Sequence, residues 1–491
     1  MNDPFAALYH TVYEEGQLFG VDHALAADPL REVPHGVRPN SIAIGGGAFG
    51  DEGKGRIVDE LCGILARRTG QLVVYRWNGG ANAGHTVIVN DQRLALHQMP
   101  SGALHAAAVG VLGKGMVIHP EDLVEESLQV ARAINRPADA ETPAVRVDLN
   151  AVLALDTHRA FESALKAWES GGSGATGRGI SPAYADVLLR HPVRVRDLVA
   201  DDWRERLGKH YALYAALING LGRHIAEISV PSLHETHTVG DQTAFLERLH
   251  VAREVLRWSV VDAYPYLAER WAQPDQFGFI FEGAQAVGLD PRFGVYPDVT
   301  ASDPTFGGIL ASTEGLIAPE QIAVRANTLK ATYSSSVGTR RLPTHMPDLL
   351  AMRIREDAHE YGATTHRPRD ILYFDLPCLG YFARVSRATH LVLTHLDIAY
   401  PDQPIRVCTH YTDSNGTPVP YRPDQAYLND VTAHFRDLPS WDGAALRGAQ
   451  RLADLPHSAL QYIAFITQAL GAAPLMATTG AQRDALISWL P

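Results

Sequence analysis

Residues 46–55 read GGAFGDEGKG, glycines interleaved with Asp51, Glu52 and Lys54. A glycine-rich turn that leads into a helix gathers backbone N–H groups and the positive end of a helix dipole around one point, which suits phosphate. Lys54 adds a full positive charge. No Ser or Thr follows Lys54, so the loop departs from a Walker A sequence. A carboxylate beside phosphate is costly unless it ligates Mg²⁺ or takes a proton from a second substrate, and either role would make Asp51 catalytic. The plainer alternatives are a helix N-cap for Asp51 and a tight packing turn for the glycines. A second glycine-rich turn, WNGGANAGHTV (77–87), ends in His85. A lone histidine is more often structural. A proton donor beside a base and a phosphate site would nevertheless suit phosphoryl transfer, where positioning and charge neutralisation dominate.

These turns need strands and helices to hold them. Short apolar runs, Ile42 to Ile44, LVVYRW (72–77), VGVLG (109–113), FGFIFEG (277–283), IAVRANTLKA (322–331) and THLVLTHLDI (389–398), alternate with helical patterns. That alternation predicts an α/β fold with a large, mostly parallel central sheet flanked by helices. Ile57, Val58, Leu61, Ile64 and Leu65 recur at helical spacing, so the 46–55 loop should join a strand to a helix N-terminus. Residues 1–40 end in the turn-rich REVPHGVRPN and read as an N-terminal extension of unknown role, with residues 41–491 as the remaining domain. The proline-bearing segment from about 400 to 440 reads as irregular or edge structure.

At 491 residues with 46% apolar content, the chain can fill a sizeable core. The net charge of -12 disfavours a nucleic-acid partner bound through a basic face, while small anions need only a local positive pocket. Cys62, Cys378 and Cys408 have no zinc or disulfide-framework spacing, which suits a reducing compartment. The N-terminus lacks signal-peptide character and no long apolar run occurs, so the expectation is a cytoplasmic protein with no membrane partner.

The loop GDEGKG followed by IVDEL, together with NAGHT, resembles the adenylosuccinate synthetase family. HQMPSG (97–102), GATGRGISPAY (174–184), FEGAQ (281–285), YPDVTAS (296–302), GATTHRPR (362–369), LTHLD (393–397), LPSW (438–441) and TTGAQR (478–483) match in the same order. The resemblance implies a P-loop-NTPase-like fold with insertions. It also implies a C–N ligase that uses GTP and Mg²⁺ to join L-aspartate to inosine monophosphate (IMP) in purine biosynthesis.

By the same resemblance, Asp51 removes the proton from purine N1 and His85 stabilises the O6 being phosphorylated, with Asp51 and the backbone of Gly84 as Mg²⁺ ligands. GTP is expected at Gly50, Glu52, Gly53, Lys54, Gly55, Arg56, Gly84, Thr86, Arg369, His395, Leu396, Asp397, Thr478, Thr479 and Gly480. Asp397 can accept from guanine N1–H and the 2-amino group together, a pair adenine lacks. The monophosphate substrate is expected at Asn82, Thr176, Arg190, Gln285, Thr300, Val337 and Arg367. Aspartate is expected at Gly362, Ala363, Thr364, Thr365, His366, Arg367 and Arg369. Arg190 matches an arginine that the family donates to the other subunit's site, implying a homodimer.

Several positions depart from the family pattern. His395 replaces a lysine whose stem covers guanine, and an imidazole can stack there instead. His366 replaces a glycine, which matters if that position needs a positive φ. Ala81, Ala175, Asp298 and Asp303 also differ, as does SSSVGTRRLPT (334–344). These changes keep two alternatives open. One is a paralogous ligase acting on a modified purine-like acceptor or a different amine; a dGMP-using phage relative lacks the loop aspartate that is present here. The other is a GTP-binding protein without turnover.

Overall fold

Each of the six apolar runs forms a strand or part of one. The computed structural model describes residues 3–21, 28–89, 92–134, 145–169, 176–336, 338–362 and 368–490. The chain divides into two units, one of Met1–Lys54, Gln285–Val299 and Ile322–Pro491, the other of Gly55–Ala284 and Thr300–Gln321.

In the first unit, the strands Arg38–Gly46, Ile322–Lys330, His390–Thr394 and Ala473–Thr478 lie side by side in parallel, and Leu486–Ser488 adds an antiparallel edge. Parallel strands covered on both faces need continuous apolar runs. Val324, Leu391, Val392, Leu393, Leu475 and Met476 supply them, all fully buried. In the second unit, Val260–Val261, Val145–Asp148, Ala108–Leu112, Gln71–Arg76 and Phe277–Glu282 are hydrogen-bonded in that order, all in parallel.

The segment from 400 to 440 corrects the expectation of irregular structure. Ile405–Thr412 pairs with Asp370–Asp375, Pro418–Val419 and Thr432–Leu438, forming the centre of a second sheet in the first unit. Pro401 and Pro404 precede this strand and Pro439 follows Thr432–Leu438, so the prolines punctuate the ladder without removing its central N–H donors. The N-terminal residues also carry more structure than their turn-rich ending suggested. Ala6–Tyr9 is helical, His10–Glu14 continues as a π-type turn, and Val12 and Val21 are fully buried.

Among the described residues, no helix is long and apolar enough to cross a membrane. Cys62, Cys378 and Cys408 are buried free thiols.

Candidate active site

The loop at 46–55 joins the strand Arg38–Gly46 to the helix Lys54–Thr69, as its sequence predicts. Ile57, Val58, Leu61 and Leu65 are fully buried on the inner face of that helix, while Arg67 and Arg68 sit in its last turn, where the helix dipole favours cations. Gly46 has no room for a side chain, since a Cβ there would lie 2.4 Å from the Gln285 carbonyl oxygen.

The loop's two carboxylates have different environments. Glu52 is buried and turned inward: its Oε1 accepts from the N–H of Ala48 at 3.2 Å and of Gly50 at 2.8 Å, and its Oε2 accepts from Lys54 Nζ at 2.8 Å. Asp51 has 45% of its side chain exposed and accepts at Oδ2 from Arg369 Nη2 at 2.5 Å. Asp51 is therefore an oriented carboxylate with an open face, and not an N-cap tied to its own helix.

Arg369 is itself held. Its Nη1 donates to Glu360 at 2.7 Å, and Glu360 also takes Lys330 Nζ and the Tyr333 hydroxyl, the latter at 2.6 Å. Burial alone would raise the Glu360 carboxyl, but the charges of Lys330 and Arg369 outweigh it and hold the group well below the usual carboxylate range. Burial disfavours the charged form of Arg369, and the carboxylates of Asp51 and Glu360 more than restore it. Lys330, Glu360 and Arg369 thus form a buried charged chain that ends on Asp51. Sequence reasoning missed Glu360 and Lys330, because a buried ion pair between residues thirty apart leaves no local pattern.

The guanine-reading candidates gather at the ends of two adjacent strands of the same unit. Thr478 Oγ1 accepts from the His395 N–H at 3.0 Å, and the Thr478 carbonyl accepts from the Leu396 N–H at 2.9 Å. Asp397 is half-buried and lies 3.6 Å from Arg447 Nε. The His395 ring meets the Tyr333 ring edge-on at 6.0 Å between centroids. Thr479 is buried, its hydroxyl donating to the Ala449 carbonyl at 2.7 Å, and Gly480 follows with φ +159.

In the second unit, His85 is 6% exposed and its Nδ1 pairs with Glu282 Oε1. Glu282 is fully buried at the end of the strand Phe277–Glu282, where Ser101 donates its N–H to Oε2 at 2.9 Å and its hydroxyl to Oε1 at 2.7 Å. Burial raises the Glu282 carboxyl, yet the neighbouring His85 charge prevails and lowers it. A Cβ on Gly55 would lie 2.7 Å from the His85 Cβ, so glycine is what lets the helix start approach this imidazole. Glu282 was within a quoted motif, and a charged residue closing an all-apolar strand was the available signal for it.

Other expected residues are placed as follows. Asn82 is half-buried and its Oδ1 has no hydrogen-bond partner among the described residues, and Gly84 is exposed. Thr86 lies in the strand His85–Val89, and Arg56 is half-buried in the first turn of its helix. Gly50 and Gly53 take positive φ within the loop. Thr176 is exposed, and Thr300 accepts from the Ser302 N–H at 3.4 Å. Arg190 is exposed and caps the helix Ile180–Leu189. Gly362 is half-buried. Ala175, Val337, Ala363, Thr364, Thr365, His366 and Arg367 lie outside the described residues.

Two departures have a structural use. Asp298 accepts from both the N–H and the hydroxyl of Thr339, at 2.7 and 3.0 Å. Asp303 accepts from the N–H and the hydroxyl of Thr305, at 3.0 and 2.7 Å. Ala81 is buried.

Among the described residues, nine non-glycine residues have positive φ, and four of them are Asp51, Arg190, Gln285 and His395. Left-handed backbone costs about 1–2 kcal/mol for an ordinary side chain and persists where surrounding structure over-determines it. At Arg190 it is the C-cap of the helix Ile180–Leu189, where left-handed backbone is common.

Comparisons with known proteins agree with these features. The adenylosuccinate synthetase family model matches residues 43–487. The adenylosuccinate synthetase of Thermus thermophilus is 34% identical over 452 residues, covering 91% of this chain and 99% of that protein. Adenylosuccinate synthetase 1 of Chromobacterium violaceum is 35% identical, covering 92% and 99%. The fully ligated adenylosuccinate synthetase structure from Plasmodium falciparum superposes with a TM-score of 0.79 at 28% identity, covering 91% of this chain and 99% of that one. A cyanophage S-2L succinoaminodeoxyadenylate synthetase, solved with dGMP and dATP, shares the fold alone, with a TM-score of 0.54 at 18% identity over 93% and 96% of the two chains. The chain belongs to the adenylosuccinate synthetase family, a family of C–N ligases.

Proposed function

We propose that this protein joins L-aspartate to C6 of IMP at the expense of GTP, releasing adenylosuccinate, GDP and phosphate. The observation that carries the residue assignment is the division of labour in the loop. Glu52 is occupied by Lys54 and loop amides, leaving Asp51 as the oriented carboxylate with an open face. In this reading Asp51 takes the N1 proton, and O6 forms a bond to the γ-phosphorus as the bond to GDP breaks. The amine of aspartate then adds at C6, phosphate leaves with O6, and the amine gives up a proton.

His85 contributes at O6. With Nδ1 paired to Glu282, its other ring nitrogen, Nε2, is the proposed donor to an oxygen that gains negative charge. Arg369 orients Asp51 through their ion pair. Asp397, with Thr478 to Gly480 beside it, selects guanine. Asn82, Thr176, Gln285, Thr300, Val337 and Arg367 receive the monophosphate substrate, and Gly362 to Arg367 with Arg369 receive aspartate. Arg190 serves the monophosphate of a second subunit in a homodimer.

Mg²⁺ prefers oxygen donors, and the exposed Asp51 carboxylate and the exposed Gly84 backbone suit it; they are its proposed ligands. The ion would neutralise phosphate charge when bound.

The test is incubation of the purified protein with GTP, Mg²⁺, a panel of purine monophosphates and a panel of amines, read by mass spectrometry. Adenylosuccinate from IMP and aspartate is the expected product. Turnover only with another acceptor or amine would replace this reading with a paralogous ligase, and tight GTP binding with no turnover would make it a binding protein. Asp51→Asn should abolish turnover while leaving GTP binding largely intact.

A further inference from the structure

The family match begins at residue 43, yet residues 3–21 are built into the core of the unit that carries the guanine-reading candidates. Val12 and Val21 are fully buried, and Phe5, Leu8, Tyr9, Tyr13 and Leu18 pack against the same cluster. Phe5 and Tyr13 set their rings 6.2 and 6.0 Å from Phe465 on the helix His457–Leu470. Polar links fasten the segment at both ends. Asp3 pairs with Arg436 at 2.6 Å, with the guanidinium 4.3 Å over the Tyr9 ring. Gln461 donates to the Val12 carbonyl at 3.1 Å, and Trp489 Nε1 donates to the Val21 carbonyl at 3.1 Å.

The elements so gripped are those that hold the strand Ala473–Thr478. Leu486–Ser488 pairs antiparallel with it, placing Leu486 opposite Thr478, and the Trp489 N–H donates to the Leu475 carbonyl at 2.9 Å. From the helix, the Tyr462 ring packs at a tilt against Trp441, 5.5 Å between centroids, and Trp441 Nε1 donates to the Leu396 carbonyl at 3.0 Å. Thr478 itself receives the N–H groups of His395 and Leu396. Residues 3–21 therefore bear on both sides of the His395–Asp397 and Thr478–Gly480 pair of loops. Strand ends next to an edge open readily unless packing opposes it.

We propose that residues 3–21 are a positioning strap for the guanine pocket. By bracing the helix and Trp489, the strap keeps Asp397 and Thr478 in register for the base. This rests on the assignment of GTP to that edge. The strap's effect is expected on the nucleotide side of the reaction.

Three variants test it: deletion of residues 1–21, and Val12→Ala and Trp489→Phe in the full chain. Each is measured by amide hydrogen exchange over residues 475–480 and by KM for GTP and for IMP. The expected result is faster exchange over 475–480 and a rise in the GTP KM of at least about fivefold for the deletion, smaller for the point variants, with the IMP KM within about twofold of the parent. Unchanged exchange and GTP KM in a folded deletion variant would overturn the proposal, as would an equal rise in both KM values. If the deletion variant does not fold, the two point variants decide by the same criteria. Failure of the parent to bind GTP would overturn the nucleotide assignment instead, while exchange over 475–480 would still judge the strap.

Discussion

Replacing Glu282 by Gln removes one charge and almost no volume from a fully buried position, which makes it the sharpest probe of how His85 works. In the parent the carboxylate meets His85 Nδ1 and takes two further hydrogen bonds from Ser101. A charge-assisted hydrogen bond is worth about 1.5–3 kcal/mol, against about 0.5–1.5 for a neutral one, so the substitution should forfeit about 1–2 kcal/mol of support for a positively charged imidazole. If that charge develops as O6 gains negative charge, the loss appears in the transition state as a decrease in kcat/KM of about 5- to 30-fold. Steady-state kinetics from acid to alkaline pH, with thermal unfolding to confirm a parent-like fold, provide the assay. A variant with kcat/KM within about twofold of the parent would refute the reasoning, since Glu282 would then be only a core hydrogen-bond acceptor.

Two further outcomes are expected. Burial pushes the Asp375 carboxyl up to about 6, against the lowering effect of hydrogen bonds from Tyr411, the Cys378 N–H and Thr344. A raised folded-state value means stability that is fully present below the unfolded value of 3.8 and lost as pH rises through about 6, on the order of 3 kcal/mol for this group. Asp375→Asn, whose amide can keep the same partners, should flatten the fall of Tm over that window; an unchanged slope would show that Asp375 is not its source. Arg190→Leu should raise the IMP KM while leaving the GTP KM unchanged. Sedimentation should show a dimer in both proteins, and a monomeric parent with full activity would remove the cross-subunit role.

The chemistry-bearing motifs were legible because each is local. GGAFGDEGKG, NAGHT and LTHLD each sit where an apolar run breaks into a polar turn, and covalent neighbours alone place a strand before the first loop and a helix after it. The central strand Ile405–Thr412 was misread for a related reason. Proline content averaged over a segment hides where each proline falls: Pro418 lies in the short strand Pro418–Val419, and the others flank the two long strands.

By itself, the sequence determined the α/β class, the strand–loop–helix around Asp51 and Lys54, and the family, because these rest on periodicity, turn chemistry and ordered local motifs. Only the tertiary structure decided which loop carboxylate stays open, that Arg369, Glu360 and Lys330 stand behind Asp51, that Glu282 pairs with His85, and that residues 3–21 pack against the helix His457–Leu470 and Trp489. Each of those depends on a contact between distant segments in a low-dielectric interior, where a charge must find its partner through space and no spacing along the chain records it.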